Sequence, residues 1–369
     1  MVRLVIGDIN SLIEDLTDKK LVCYGAGKNF DQVMIKYKHK DLIDKVDCII
    51  DNNEELQSTF KDFDGNKRPI ISLNDFVKNN KIDNYVILIT IYNDYLNIIE
   101  QLDNYSELCG IHLYVGSFLH IKFEKNDFSV FKEKNVLKIP KVIHYCWFGG
   151  NKIPDEYNKY MESWKKYCTD YEIIRWDESN YDVTKNKYMH EAYIEKKWAF
   201  VSDYARIDIV NKYGGIYLDC DVELLKSWDL FLVDDFFAGF EDNKYIDLGL
   251  GFGAIAGHEY LVKLLDLYES LEFRKGDTLN MVPCTVYQSM VLEKMGFKMN
   301  NTFQKINNMV IYPSNIFSPI TFYGMGEVDL NTYSIHHYSS SWHTEIERKY
   351  IQEFKERGQL LYQRYLLNE

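Results

Sequence analysis

The stretch WAFVSDYARIDIVNKYGGIYLDCD, residues 198–221, decides the fold class of the second half of this 369-residue chain. Its apolar residues recur at helical spacing as far as Tyr213, which predicts a buried helix. Gly214-Gly215 is typical of the stop that follows a helix. Residues 216–218 then predict a short apolar strand, and two carboxylates follow at its end. The stretch therefore predicts helix, turn and strand in succession, an α/β arrangement.

The two carboxylates at the end of this stretch predict a metal site. Asp219 and Asp221 lie two residues apart, and in extended backbone such side chains point to the same side. Like charges that converge repel each other unless a cation lies between them. Carboxylate oxygens suit Mg²⁺ or Mn²⁺, and either ion can also bridge the phosphates of a substrate. The sequence therefore predicts a divalent cation shared with a phosphate-bearing ligand.

The chain contains a second D-x-D string that serves as a comparison. Asp62-Phe63-Asp64 lies in the polar stretch KDFDGN, which predicts a turn through Asp64-Gly65 and no function. The string at Asp219 differs because an apolar strand precedes it and because the predicted helix carries Asp203 and Arg206. Context therefore distinguishes the two strings.

Four ordered blocks between residues 139 and 342 carry a family resemblance: IPKVIHYCWFGG (139–150), ESWKKYCTDYEIIRW (162–176), KKWAFVSDYARIDIVNKYGGIYLDCD (196–221) and SIHHYSSSW (334–342). Together they resemble glycosyltransferase family 32, which includes bacterial capsule and polysaccharide sugar transferases. The spacing of the central block is similar to that of the clostridial glucosylating toxins. The resemblance implies a GT-A fold, a UDP-sugar donor, a divalent cation and transfer of a hexose with retention at the anomeric carbon.

The resemblance also implies roles for residues of the nucleotide-sugar site. Trp147, at the end of the predicted strand 141–147, would stack on the base, although a core tryptophan is the alternative. Asp203 and Arg206, three residues apart on one helix face, would hold donor-sugar hydroxyls, with a surface ion pair as the alternative. Arg206 would also reach the diphosphate. Tyr217 projects to the side of Asp219 and would contact the nucleotide.

Asp221 is the predicted direct metal ligand, and Asp219 would contact the ribose or a water on the metal. Near the C-terminus, His336 and His337 are further candidate ligands. Adjacent residues of a strand point to opposite sides, so we expect at most one of the pair to bind metal, and neither is the alternative.

Three more regions are expected around the donor. A Ser-x-Trp element of the toxins closes over the diphosphate, and Ser340 and Trp342 match it. The glycine-rich run 247–253 would form the floor beneath the sugar, with Asp247 binding a hydroxyl. Gln288 and residues 278–287 would shape the acceptor side.

The N-terminal part predicts a separate, smaller Rossmann-like α/β domain. Apolar strands are predicted at 20–27, 46–51 and 85–91, alternating with helical segments. The turn Gly25-Ala26-Gly27 would bring N–H groups to a phosphate and Asp51 would accept from a ribose hydroxyl, but Phe30 occupies the position of the third fingerprint glycine. A structural or partner-binding role is the favoured alternative. We place this domain at 1–125, a linker at 126–138 and the GT-A domain at 139–369.

Charge and composition limit the partners and location of the protein. The formal net charge of -13 argues against a nucleic-acid partner, whose phosphates require Lys and Arg. Seven scattered cysteines without a C-x-x-C pair predict free thiols in a reducing compartment. No N-terminal stretch of the sequence has the pattern expected of a signal peptide, and no apolar run reaches the length expected of a membrane span. We expect a cytoplasmic protein, with peripheral association at the inner membrane face as an alternative.

The predicted function is metal-dependent glycosyl transfer from a nucleotide-sugar to a saccharide acceptor, lipid-linked in one alternative, in capsule or surface polysaccharide synthesis. The predicted catalytic residues are Asp203, Arg206 and Asp221, with Mn²⁺ or Mg²⁺ as cofactor. Two alternatives are a non-catalytic sugar- or nucleotide-binding subunit and an NAD(P)-dependent oxidoreductase that uses the N-terminal domain.

Overall fold

The computed structural model describes residues 1–91, 94–119, 136–241, 244–339 and 345–366. The chain divides into two compact units, Met1–Glu124 with Leu360–Glu369 and Lys125–Gln359. Each unit mixes helices with a large sheet, so the predicted α/β class is confirmed. Most of the predicted linker at 126–138 lies outside the described residues, and the predicted boundaries stay predictions.

The first unit is built around a seven-stranded sheet. Its helices are α1 (Ile9–Asp15), α2 (Lys28–Lys36), α3 (Leu42–Lys45), α4 (Leu73–Asn79) and α5 (Tyr95–Asp103). Its strands are β1 (Arg3–Leu4), β2 (Lys20–Tyr24), β3 (Val46–Ile50), β4 (Phe60–Phe63), β5 (Asn66–Ile71), β6 (Tyr85–Ile89) and β7 (His112–Val115). The order is β1-β7-β6-β2-β3-β5-β4, and every neighbouring pair is parallel except the hairpin β4–β5.

The three strands predicted in this unit are β2, β3 and β6, and they lie side by side in parallel. Every residue of β6 is buried, as is every residue of β2 after Lys20. A strand covered on both faces has no solvent-facing positions, which explains why these segments are apolar runs without alternation.

The glycine turn after β2 uses Asp51 for its own support. Gly25 has a φ of +106°, which favours glycine. The Asp51 carboxylate accepts the N–H groups of Ala26 at 2.8 Å and Asn53 at 2.9 Å. Phe30 is fully buried on α2 in the core of this unit. These contacts favour the structural role for the turn over the predicted hydrogen bond to a ribose.

The second unit contains a second seven-stranded sheet and two small ones. Its helices are α6 (Asp155–Tyr167), α7 (Lys187–Ile194), α8 (Trp198–Tyr213), α9 (Glu259–Glu269), α10 (Cys284–Lys294), α11 (Ser314–Phe317) and α12 (Glu345–Leu366), of which α12 extends beyond the unit. The strands are β8 (Val142–Cys146), β9 (Glu172–Trp176), β10 (Gly215–Tyr217), β11 (Val222–Leu224), β12 (Phe236–Gly239), β13 (Phe252–Ala254), β14 (Arg274–Lys275), β15 (Thr278–Leu279), β16 (Gln304–Ile306), β17 (Met309–Tyr312) and β18 (Ser334–His336).

The main sheet of the second unit has the order β16-β17-β12-β13-β10-β8-β9, so β10 lies inside it. β10 pairs in parallel with β8 and antiparallel with β13. Successive side chains of a strand point to opposite faces. Accordingly Tyr217 belongs to the core cluster that also contains α8, whereas Ile216 and Leu218 belong to the cluster on the opposite face. Strand β10 is therefore packed against core residues on both faces of the sheet.

In the part of the chain that the structure describes, no helix combines the length and apolar character needed to cross a membrane.

Candidate active site

The stretch 198–221 folds as helix α8, a two-glycine turn and strand β10, as predicted. Gly214 and Gly215 have φ values of +66° and +103°, and a Cβ on Gly215 would lie 2.8 Å from the backbone oxygen of Val142. Glycine is therefore needed to pass from α8 into the sheet.

The expectation that extended backbone aligns the two carboxylates is wrong. β10 ends at Tyr217, and residues 219–222 form a turn in which the N–H of Val222 donates to the backbone oxygen of Asp219 at 3.1 Å. The turn, rather than strand alternation, directs Asp219 and Asp221 into the same cavity.

A short sheet brings the C-terminal histidines to these carboxylates. β11 pairs antiparallel with β18, and Val222 lies opposite His336. His336 Nε2 consequently lies 3.2 Å from Asp221 Oδ1. The backbone N–H of Ser339 donates to Asp221 Oδ2 at 2.8 Å, which fixes the second oxygen. Two segments more than a hundred residues apart in sequence thus form one site.

Asp219, Asp221 and His336 form a group that can hold a metal ion. Each offers one ligand atom, and these atoms lie within 4.8 Å of one another. Among the described residues, the buried Nδ1 of His336 has no hydrogen-bond partner. Two carboxylates and an imidazole fit Mn²⁺ better than Mg²⁺, because Mg²⁺ prefers oxygen ligands alone.

His337 lies in different surroundings. Its Nε2 is 2.9 Å from Glu223 Oε2, and its ring stacks on Tyr160 at a centroid distance of 3.9 Å. The structure therefore brings His336 to the two carboxylates and does not bring His337 there.

Arg206 lies beside the candidate metal group. Its Nη2 lies 3.1 Å from Asp203 Oδ1 and 3.3 Å from Asp219 Oδ1, and the guanidinium carbon is 5.0 Å from the centre of the Tyr217 ring. Arg206 is 4% exposed and Asp203 is 6% exposed. The alternative of a surface ion pair is therefore wrong, because both partners are buried in the core of the unit.

The electrostatics of the cavity show a shortage of positive charge. Burial raises the pKa of Asp203 to about 6, although Arg206 acts to lower it. Burial also raises the pKa of Asp219, and Asp221 adds to that effect. Burial alone would lower the pKa of His336, but Asp221 raises it to about 9. Burial acts to raise the pKa of Asp221, yet His336 holds it well below its usual range. Protonated His336 thus supplies charge that a bound cation would replace.

One cavity of about 380 Å³ contains most of the predicted site. Of the predicted residues, those that line it are Trp147, Asp203, Arg206, Asp219, Asp221, Asp247 and His336. Ser340 and Trp342 lie outside the described residues. The structure therefore brings together residues from three of the four sequence blocks, together with Asp247 of the glycine-rich run.

Trp147 and Tyr217 are placed differently. Trp147 directly follows β8, and its indole is oriented by a hydrogen bond to Asn151 O at 2.7 Å and by an edge contact with Tyr157. Tyr217 is 1% exposed, and its hydroxyl donates to Asp219 Oδ1 at 2.8 Å. Trp147 therefore lines the cavity. Tyr217 does not line it, and its buried hydroxyl hydrogen-bonds Asp219.

Gly249 is a site residue that the sequence did not single out within the glycine-rich run. A Cβ at this position would lie 2.5 Å from Asp219 Oδ2 and 3.0 Å from Arg206 Nη1. The backbone N–H of Gly249 donates to Asp247 Oδ1 at 2.6 Å. Gln288 lies behind this floor, fully buried, and accepts the N–H of Leu248 at 3.0 Å. The sequence showed that this run is rich in glycine, but it did not show that Gly249 lies against Asp219 and Arg206.

Comparison with known proteins agrees with this geometry. Residues 154–237 match the family described as a glycosyltransferase sugar-binding region containing a DXD motif. The chain is 26% identical over 190 residues to the uncharacterized glycosyltransferase L373 of Acanthamoeba polyphaga mimivirus, which covers 49% of the chain and 75% of that protein. It is 35% identical over 103 residues to inositol phosphoceramide mannosyltransferase 3 of Schizosaccharomyces pombe, which covers 26% of the chain and 27% of that protein.

Solved structures similar to this one include two glycosyltransferases. The PaToxG glycosyltransferase matches with a TM-score of 0.36 and 17% identity, covering 43% of this chain and 69% of that one. A glycosyltransferase involved in the glycosylation of the major capsid of PBCV-1 matches with a TM-score of 0.33 and 14% identity, covering 58% and 100%.

The family match includes Asp203, Arg206, Asp219 and Asp221, four of the residues that line the cavity. Together with the sequence relatives, it identifies the protein as a glycosyltransferase. The predicted enzyme class is confirmed.

Proposed function

We propose that this protein is a metal-dependent, retaining glycosyltransferase of the GT-A type that moves a hexose from a UDP-sugar to a saccharide acceptor. One observation carries the proposal: Asp219, Asp221 and His336 converge in the cavity that Arg206 and Trp147 also line. A nucleoside diphosphate needs both positive charge and a surface for its base, and this cavity offers the residues for both.

The cation would neutralise the diphosphate and stabilise the charge that develops on it when the glycosidic bond breaks. Without such a cation, a chain of net charge -13 would repel this ligand. Asp219 and Asp221 would hold the ion through oxygen ligands, and His336 would supply a nitrogen after losing its proton.

Arg206 would stabilise the same leaving group from the protein side. Its contacts with Asp203 and Asp219 fix the guanidinium before substrate arrives, so little reorganisation is needed in the transition state. Trp147 would stack on the base, which positions the diphosphate over the carboxylates.

Retention by front-side displacement is the proposed course. A covalent intermediate needs a free carboxylate at the anomeric carbon, as in retaining glycosidases. Asp203 and Asp219 are paired with Arg206, and Asp221 accepts from Ser339 and contacts His336. Isolation of a glycosyl ester on any of these carboxylates would contradict this course.

The wider setting follows the family resemblance. We propose that the protein acts in capsule or surface polysaccharide synthesis in the cytoplasm. In one version of this proposal the acceptor is lipid-linked and the protein associates peripherally with the membrane. The family match and the sequence relatives favour an enzyme over the non-catalytic alternative. The oxidoreductase alternative is weakened because Asp51 already accepts the N–H groups of its own turn.

The test is donor hydrolysis by the full chain across UDP- and GDP-sugars, with and without Mn²⁺. The comparison is between wild type, Asp221→Asn and the matched control Asp64→Asn, which changes the other D-x-D string. We expect Mn²⁺-dependent release of UDP from one sugar, lost in Asp221→Asn and kept in Asp64→Asn. Equal activity of the two variants, or release that ignores Mn²⁺, would overturn the metal assignment.

A further inference from the structure

The cavity lining includes apolar residues that the proposed donor chemistry does not use. Trp198, Phe200, Met281 and Pro283 are among the residues that line the cavity, and Val282 lies between Met281 and Pro283 in the sequence. We call these five residues the apolar rim. Met281 is 44% exposed and Val282 is 39% exposed, although both lie beside a cavity with a charged floor.

The apolar rim is a built surface rather than a frayed loop. The N–H of Asn280 donates to Phe273 O at 2.7 Å, and its side-chain amide donates to the Tyr287 hydroxyl at 3.0 Å. The N–H of Val282 donates back to Asn280 Oδ1 at 3.2 Å. Helix α10 begins directly after Pro283. The exposed Met-Val-Pro segment is therefore anchored at both ends.

The aromatic side of the rim is fixed as well. A Cβ on Gly149 would lie 2.6 Å from the indole of Trp198, so only glycine at that turn lets the ring lie where it does. Tyr193 contacts the same indole at 5.3 Å, and Phe273 contacts Phe200 at 5.1 Å, both measured between ring centroids. These contacts hold the rings of Trp198 and Phe200 in place in the cavity lining.

Resting on the proposed function, we infer that the apolar rim is the acceptor subsite and that it takes an acceptor with an alkyl aglycone next to the reacting hydroxyl. The diphosphate would lie at the acidic residues, so the apolar residues of the lining would stay available to the acceptor. The side chains of Met281, Val282 and Pro283 offer no hydrogen bonds to sugar hydroxyls, and desolvating hydroxyls there would be unfavourable. Burial of an alkyl chain against them is favourable.

A bare saccharide acceptor would leave this surface wet and exposed. Contiguous exposed apolar residues at a cavity are typical of ligand or partner sites, whereas singly scattered ones need no explanation. Val328 and Leu330 provide a matched contrast in the same unit. They are 45% and 93% exposed, and neither lines the cavity. The inference therefore depends on the position of the rim and not on apolar exposure alone.

The experiment compares methyl and octyl glycosides of the same sugars as acceptors, below the micellar concentration, with donor and Mn²⁺. For wild type we expect kcat/KM about tenfold higher for the octyl glycoside. The double variant Met281→Ser, Val282→Ser should bring the octyl-to-methyl ratio towards one, and the control Val328→Ser, Leu330→Ser should keep the wild-type ratio. The inference would be overturned if wild type had the same kcat/KM for the octyl and methyl glycosides. It would also be overturned if both double variants changed the octyl-to-methyl ratio by the same factor.

A binding measurement separates this inference from the proposed function. Saturation-transfer NMR with octyl glucoside should show signal from the alkyl protons in wild type and in the control, and a weaker signal in the rim variant. Alkyl binding that depends on the rim, in a protein that releases no nucleoside diphosphate, would contradict the proposed function and leave the apolar subsite standing. Donor hydrolysis without rim-dependent alkyl binding would do the reverse.

Discussion

The two D-x-D strings of this chain, Asp62-Phe63-Asp64 and Asp219-Cys220-Asp221, have the same spacing and different surroundings. Asp64 and Gly65 form the two-residue turn of the hairpin β4–β5, with φ values of +50° and +82°, as predicted. The Asp64 side chain is 61% exposed and pairs with Lys38 in solvent. The Asp221 side chain is 14% exposed and contacts His336 inside a cavity.

This comparison shows that burial, and not the tripeptide, distinguishes the two carboxylate pairs. In solvent, water and a flexible lysine satisfy the charges at little cost or gain. In a buried cavity the same charges raise each other's free energy unless a fixed cation compensates them. Four predictions test this difference, from the largest expected effect to the smallest.

The first prediction concerns the cationic partners of the two strings. Arg206→Gln leaves two carboxylates unpaired in the core, so we expect a loss of about 3–5 kcal/mol in unfolding free energy. Lys38→Gln removes an exposed partner and should leave stability unchanged within error. Urea unfolding of both variants measures the difference. A small effect for Arg206→Gln would mean that solvent reaches the cavity freely.

The second prediction concerns the space beside each string. Gly249→Ala places a methyl group against Asp219 and Arg206, and overpacking of this kind typically costs about 1–3 kcal/mol. We expect Mn²⁺ affinity to fall by about tenfold or more for that reason. Gly65→Ala meets no neighbouring atom within 4 Å but adopts a φ that favours glycine, so it should lower stability and leave Mn²⁺ affinity unchanged. Calorimetric titration with Mn²⁺ separates the two outcomes.

The third prediction concerns pH. His336 carries a proton below its pKa of about 9, and metal binding requires the neutral imidazole. Mn²⁺ affinity should therefore rise with pH by about tenfold per unit between pH 7 and 9, and then level off. His336→Gln has no such proton, so its weaker affinity should vary much less over that range. An equal pH slope in both proteins would assign the proton to another group.

The fourth and smallest prediction concerns the neighbouring histidine. His337 stacks on Tyr160 and contacts Glu223 outside the metal group. His337→Gln should therefore change Mn²⁺ affinity by less than about twofold, while His336→Gln lowers it clearly. Such a contrast is expected if residue position, and not residue type, selects the ligand. If His337→Gln lowered Mn²⁺ affinity and His336→Gln did not, His337 and not His336 would be the metal ligand.

Local features of the site were predictable because they follow from local rules. The helix α8, the two-glycine stop and β10 each have a sequence signal that acts within a few residues. The prediction that at most one of His336 and His337 reaches the carboxylates agrees with the structure, although His337 lies just after the end of β18. The turn at residues 219–222 was missed because strand alternation was extended past Leu218, although Asp is depleted in strands and common in turns.

The roles of Tyr217 and Gly249 were less accessible to sequence reasoning. Tyr217 was placed beside the nucleotide, yet it hydrogen-bonds Asp219 from within the core. Gly249 was one of several glycines in a run, and its contact with Asp219 and Arg206 depends on how β13 and α8 pack. Distances between elements far apart in sequence are set by packing and not by local pattern.

By itself, the sequence determined the α/β class, the helix, glycine turn and strand that lead to Asp219, and the residue types available for a metal, because periodicity and side-chain chemistry are local properties. The tertiary structure decided which of these residues meet. Pairing of β11 with β18 placed His336 at Asp221, and packing of α8 placed Arg206, already next to Asp203 on the helix, at Asp219. Electrostatic and hydrogen-bonding chemistry depends on distance and burial, and only the folded chain fixes these two quantities.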